Sequence, residues 1–141
     1  MKSATANWML VSDASLVVDL LIDGGERGSW AAAQVASAGR LHAPHLLDLE
    51  VASALRRRVS VGELSARRAG LALEDLRALS IERYPATELL ERIWELRDRM
   101  TPYDAAYVTL AEALALPLVT MDRRLSRAAP RGVEVLAFED Q

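Results

Sequence analysis

The chain has 141 residues, 51% of them hydrophobic, no cysteine and a formal net charge of −3. That length suits one domain with its own core, and the absence of thiols excludes disulfides and thiolate metal sites. The acidic balance argues against a protein that grips nucleic acid by bulk charge, so any such contact must come from local arrangement.

Residues 8–12 read as a buried strand, and Asp13-Ala-Ser opens a helix whose Leu16, Val17, Leu20 and Leu21 recur at helical spacing. Gly24, Gly25 and Gly28 are read as the loop that ends it. A second helix is expected from about Trp30 to Ala38, then a short strand over Arg40 to Ala43. Pro44 precedes a helix from about His45 to Val59, and Gly62 separates it from another over Leu64 to Leu79. Ser80 to Tyr84 reads as a strand, with helices over Thr87 to Arg99 and Pro102 to Leu114. Leu116 to Thr120 is a strand with proline near its start, a short helix follows Asp122, and Val133 to Phe138 is the last strand. Strands alternating with helices predict an α/β fold, with a parallel sheet between helical layers, in one domain over residues 1–141. No targeting or membrane segment is expected, because Asp13, Asp19 and Asp23 interrupt the first apolar stretch. The reading is a soluble cytoplasmic protein.

Asp13 follows the first strand and Asp122 follows the strand ending at Thr120, each just ahead of a helix. In open α/β sheets ligands bind beyond the carboxyl ends of the strands, so both acids belong on one rim. Asp104, in the first turn after Thr101-Pro-Tyr, and Glu50, inside the helix after the second strand, reach that rim if their helices start there. Taken singly, Asp13 and Asp122 read first as helix N-caps, and Thr101 with Asp104 as a capping-box variant. Glu50 is harder to dismiss: it flanks the apolar stripe of Leu47, Val51, Ala54 and Leu55, and a pairing with a nearby arginine explains it no better than a site role. Together the acids say more. Crowded carboxylates raise one another's pKa, and a divalent cation removes the conflict. Oxygen-only ligands select Mg²⁺ or Mn²⁺, which can activate water against a phosphodiester.

Four stretches carry a family resemblance: Val11-Ser-Asp-Ala-Ser-Leu-Val-Val-Asp; Ala43-Pro-His-Leu-Leu-Asp-Leu-Glu-Val-Ala-Ser-Ala-Leu-Arg-Arg; Thr101-Pro-Tyr-Asp-Ala-Ala-Tyr-Val-Thr-Leu-Ala; and Leu116-Pro-Leu-Val-Thr-Met-Asp-Arg-Arg-Leu. In order and spacing the chain resembles PIN-domain proteins, in particular the VapC toxins of bacterial toxin–antitoxin pairs. The resemblance implies a three-layer α/β/α sandwich around a parallel sheet of about five strands. It implies metal-binding acids at Asp13, Glu50, Asp104 and Asp122, with Ser15 and Thr120 orienting the site. It further implies Mg²⁺ or Mn²⁺ as cofactor, endoribonuclease activity on RNA, a homodimer and neutralisation by a VapB-like antitoxin. Ser53 stands where such proteins often carry asparagine.

Other candidates are read as lying outside the site. Asp19 is expected to be a solvated face residue, and Asp48, two positions from Glu50, to point away around its helix. His42 and His45 lack the spacing of a helical metal pair. Arg56, Arg57, Arg58, Arg67 and Arg68 fit a solvated face, a partner contact or RNA phosphates. Tyr103 and Tyr107, four apart, read as core packing or a dimer contact. Three alternatives remain: an inactive PIN-like partner-binding module, a nuclease acting on another small nucleic acid, and a phospho-acceptor module. The last needs a lysine near its acids, and Lys2 is the only lysine.

Overall fold

A computed structural model of the chain describes residues 8–139; Lys2 lies outside the described residues. Five strands form one all-parallel sheet, β1 (Trp8–Ser12), β2 (Ala38–Pro44), β3 (Ile81–Tyr84), β4 (Leu118–Thr120) and β5 (Val135–Ala137), in the order β3-β2-β1-β4-β5. The helices are α1 (Ala14–Ile22), α2 (Glu26–Ser37), α3 (Leu46–Ser60), α4 (Ala66–Ala78), α5 (Leu90–Glu95), α6 (Pro102–Leu114) and α7 (Arg123–Ala128), with a 3₁₀ turn at Thr87–Leu89. The chain winds outward from β1 to β2 and β3, then returns to β4 and β5 on the other side. Right-handed crossovers therefore put α1 to α4 on one face and α5 to α7 on the other. The α/β/α sandwich expected from the alternation is the observed fold.

The core explains the low aromatic content. Val11, Leu16, Leu47, Val51, Leu55, Val108, Leu118 and Val119 are fully buried between sheet and helices. Each such side chain contributes about 1.5–3 kcal/mol by leaving water. Strands with fully buried positions on both faces suit β-branched and aliphatic residues, as in Leu118-Val119-Thr120.

Helix starts follow their caps. Asp13 accepts from the Leu16 amide (3.1 Å), Ser65 from Arg68 (3.0 Å), Thr101 from Asp104 (3.2 Å) and Asp122 from Arg124 (2.9 Å). Pro102 occupies the first helical position of α6, where its missing N–H costs nothing. Ala115, with φ 56°, ends α6 in the left-handed region ahead of β4.

Several boundaries shift by about two residues, as where β2 already begins at Ala38, and two differences are larger. Gly28 is not in a loop: α2 begins at Glu26, four residues earlier than expected. The Asp23 carboxylate accepts from the Gly25 and Gly28 amides at 3.1 and 2.7 Å, which starts the helix there. Gly28 is needed because a Cβ would stand 1.9 Å from the Asp23 carbonyl oxygen. The helix expected over Thr87 to Arg99 is a 3₁₀ turn, then the short α5, then turns closed by three-residue hydrogen bonds, such as Arg99 N–H to Leu96 O (2.9 Å).

Candidate active site

The winding reverses between β1 and β4, so the loops leaving these strands separate and open a crevice at the carboxyl edge of the sheet. Asp13 leaves β1 and Asp122 leaves β4, one on each side of that crevice. Glu50 enters it from the second turn of α3, and Asp104 from the first turn of α6. All four acids, with Ser15, line one cleft of about 310 Å³. A larger cavity of about 540 Å³ beside β5 contains none of them.

Asp13 is the most constrained. It is 7% exposed, and its two carboxylate oxygens are held by different hydroxyls. Ser15 Oγ donates to Oδ1 at 2.7 Å, and Thr120 Oγ1 donates to Oδ2. Each hydroxyl has a single proton, so both protons are committed to Asp13. The same oxygens then accept backbone amides, Met121 N–H onto Ser15 (3.0 Å) and Asp122 N–H onto Thr120 (2.9 Å). Ser15 and Thr120 thus fasten the β1 and β4 loops together around Asp13. Burial pushes the Asp13 carboxyl up to about 6; the hydroxyls pull it down and Asp122 adds to the rise.

Asp104 is likewise raised, first by burial and then by Asp122, with Arg124 opposing. Asp122 is lowered, because Arg124 donates to both of its oxygens, Nε to Oδ1 at 3.1 Å and Nη2 to Oδ2 at 2.9 Å. Glu50 takes a 2.6 Å hydrogen bond from Tyr107 Oη on α6. Burial, and then the Glu50 carboxylate, push the Tyr107 hydroxyl far up, so it stays protonated and remains a donor.

Asp19 and Tyr107, both expected outside the site, line the cleft. Asp19 is not a solvated face residue: it is 5% exposed and lines the cleft. Its charge is tolerated inside because Arg27 of α2 reaches it through Nε and Nη2, both at 3.0 Å. That partner comes from the next helix, so no spacing within α1 reveals it. Tyr107 is 2% exposed, as core packing requires, but its hydroxyl emerges at Glu50. Tyr103 does not share its environment and is 60% exposed. A lone polar tip on an otherwise apolar helix face was the available signal.

Most of the remaining candidates lie elsewhere. Asp48 points away from the cleft and forms a double hydrogen bond with Arg83 (2.7 and 2.9 Å). His42 Nδ1 meets Tyr84 Oη at 2.7 Å within the sheet, and His45 precedes α3. Arg68 donates to the Leu21 carbonyl at the end of α1 (2.6 Å), Arg58 lines the cleft, and Ser53 is exposed.

The donor chemistry fits a hard divalent cation. The cleft offers oxygen ligands and no sulfur or imidazole, and two of its acids are held above their ordinary range, first by burial and further by the Asp122 charge. Among the described residues no three His, Asp or Glu side chains close around a single point.

Residues 10–130 match the sequence profile of the PIN domain. Ribonuclease VapC9 of Mycobacterium tuberculosis is 48% identical over 118 residues, covering 84% of this chain and 89% of that protein. The crystal structure of PAE2754 from Pyrobaculum aerophilum superposes with a TM-score of 0.67 at 25% identity, covering 94% of this chain and 92% of that one. Mycobacterium tuberculosis VapC20, a sarcin–ricin loop cleaving toxin, superposes with a TM-score of 0.68 at 20% identity over 84% and 94% of the two chains, a likeness of fold. With sequence and fold matched over this much of its length, the chain belongs to the PIN-domain family and, within it, to the VapC ribonucleases of type II toxin–antitoxin systems.

Proposed function

We propose that Asp13, Glu50, Asp104 and Asp122 form the metal centre at which this VapC ribonuclease hydrolyses RNA phosphodiester bonds. The observation that carries the reading is the meeting of four acids from four separate elements in one cleft at the reversal point of the sheet. These four acids would hold Mg²⁺ or Mn²⁺, and the chemistry such an ion would supply is activation of water and stabilisation of the leaving oxygen. The protein's own task is orientation. Ser15 and Thr120 fix both oxygens of Asp13, Tyr107 fixes Glu50, and Arg124 holds Asp122 ready to exchange its partner. Carboxylates already held in place spend little free energy on reorganisation when the phosphate arrives.

Membership among the VapC toxins supports a VapB-like antitoxin as partner, a homodimer as the assembled form, and action on RNA in the cytoplasm. No helix among the described residues is long and apolar enough to cross a membrane. The test is RNA cleavage by the purified chain. Cleavage is expected with Mg²⁺ or Mn²⁺, is lost in EDTA and returns when the ion is restored. A folded chain that cuts no RNA with either ion overturns the reading.

A further inference from the structure

Five carboxylates, Asp13, Asp19, Glu50, Asp104 and Asp122, line the cleft, against two guanidinium groups. Arg27 is one of these and is held by Asp19. Arg58 is the other, and among the described residues no carboxylate pairs with it. A half-buried arginine that borders five acids and pairs with none is positioned for something that arrives from outside.

Its place on α3 is informative. Glu50, Ala54 and Arg58 fall four residues apart, stack on one helix face, and all line the cleft. Eight residues of helix set Arg58 about 12 Å from Glu50 along the axis. Ala54 leaves only a methyl group between them, so that face is open. A basic residue in the last turn of a helix is favoured by the helix dipole, but exposed Arg57 supplies that from the neighbouring position. The dipole does not require Arg58 to face the acids.

We propose that Arg58 binds a backbone phosphate of the RNA next to the one that is cleaved. A polyanion entering this cleft meets five negative charges. At the acid cluster the cation would offset them, and two turns further along α3 a guanidinium fork can engage the non-bridging oxygens of a flanking phosphate. The contact is with the RNA backbone and carries no sequence preference.

This inference rests on the ribonuclease reading, and one experiment separates the two. Cleavage of a short single-stranded RNA is followed at several salt concentrations with wild type, Arg58→Ala, Arg58→Gln, Arg58→Lys and the exposed neighbour variant Arg57→Ala. Loss of a charge-assisted hydrogen bond should raise KM about tenfold for Arg58→Ala and Arg58→Gln, with kcat nearly kept. The slope of log(kcat/KM) against log salt should become shallower by about 0.7, the value for one phosphate contact on a single strand. Arg58→Lys should recover the slope and part of the affinity, Arg57→Ala should match wild type in KM and salt slope, Mn²⁺ affinity should be unchanged throughout, and the melting temperature should be unchanged in the Arg58 variants. Wild type that cleaves no RNA overturns the ribonuclease reading and this inference with it. Wild type that cleaves, with Arg58→Gln unchanged in KM and salt slope, overturns this inference alone. A common loss of melting temperature, Mn²⁺ affinity and kcat in the Arg58 variants also overturns it, in favour of a structural role.

Discussion

Tyr107 Oη donates a 2.6 Å hydrogen bond to Glu50 Oε1, joining α6 to α3 across the carboxyl rim of the sheet. The ring belongs to the core and the hydroxyl to the cleft. Tyr107→Phe keeps the ring and removes the donor, so the fold should hold while Glu50 loses its orientation. Removing a hydrogen bond to a metal-binding carboxylate typically lowers activity or metal affinity about tenfold or more. RNA cleavage rates and melting curves of the two proteins check this: a wild-type rate in Tyr107→Phe would show that Glu50 needs no help.

The burial of Asp13 has a pH signature in the metal-free protein. Its carboxyl moves from 3.8 up to about 6 on folding, so the folded chain holds the proton more tightly than the unfolded chain. The associated stability is present below about pH 4 and is lost as pH rises through 6; above that, the charged form costs about 3 kcal/mol at 1.36 kcal/mol per unit. Asp13→Asn removes this dependence. Between pH 4 and 7, metal-free wild type should lose stability relative to Asp13→Asn, and saturating Mn²⁺ should restore it. Denaturant titrations across that range provide the measurement, and parallel pH profiles for the two proteins would contradict the assignment.

In the proposed metal centre, Arg124 and the cation would compete for Asp122. The arginine is 85% exposed and holds both carboxylate oxygens, so the pair is weak but must open before both oxygens are available. Arg124→Ala should therefore tighten Mn²⁺ binding at low salt, by no more than about fivefold, the range for exposed pairs. The difference should shrink as salt screens the pair. Titration at two salt concentrations is decisive, and weaker binding in Arg124→Ala would mean that the arginine supports the site.

The legible features were those with local causes. Alternating strands and helices, the caps at Asp13 and Asp122, and the turn Thr101-Pro-Tyr-Asp are written within a few residues of where they act, and the α/β layers follow from them. Asp13 and Asp122 could be placed on one rim from strand ends alone. What stayed hidden depended on pairing across elements. Asp19 looks like a surface acid until Arg27 of the next helix arrives, and Tyr107 looks like core until α3 brings Glu50 against its hydroxyl. Gly28 reads as a helix breaker because the close approach of the Asp23 carbonyl exists only after α1 and α2 have packed.

The proposed centre requires the four acids to act as one cation site, and its most direct test is a calorimetric titration of Mn²⁺ into wild type and into the folded Asp13→Asn/Asp104→Asn variant. Saturable binding to wild type and at least a tenfold loss of affinity in the variant are expected, in line with the effect of altering metal-site residues. Equal Mn²⁺ binding by the two proteins would contradict it.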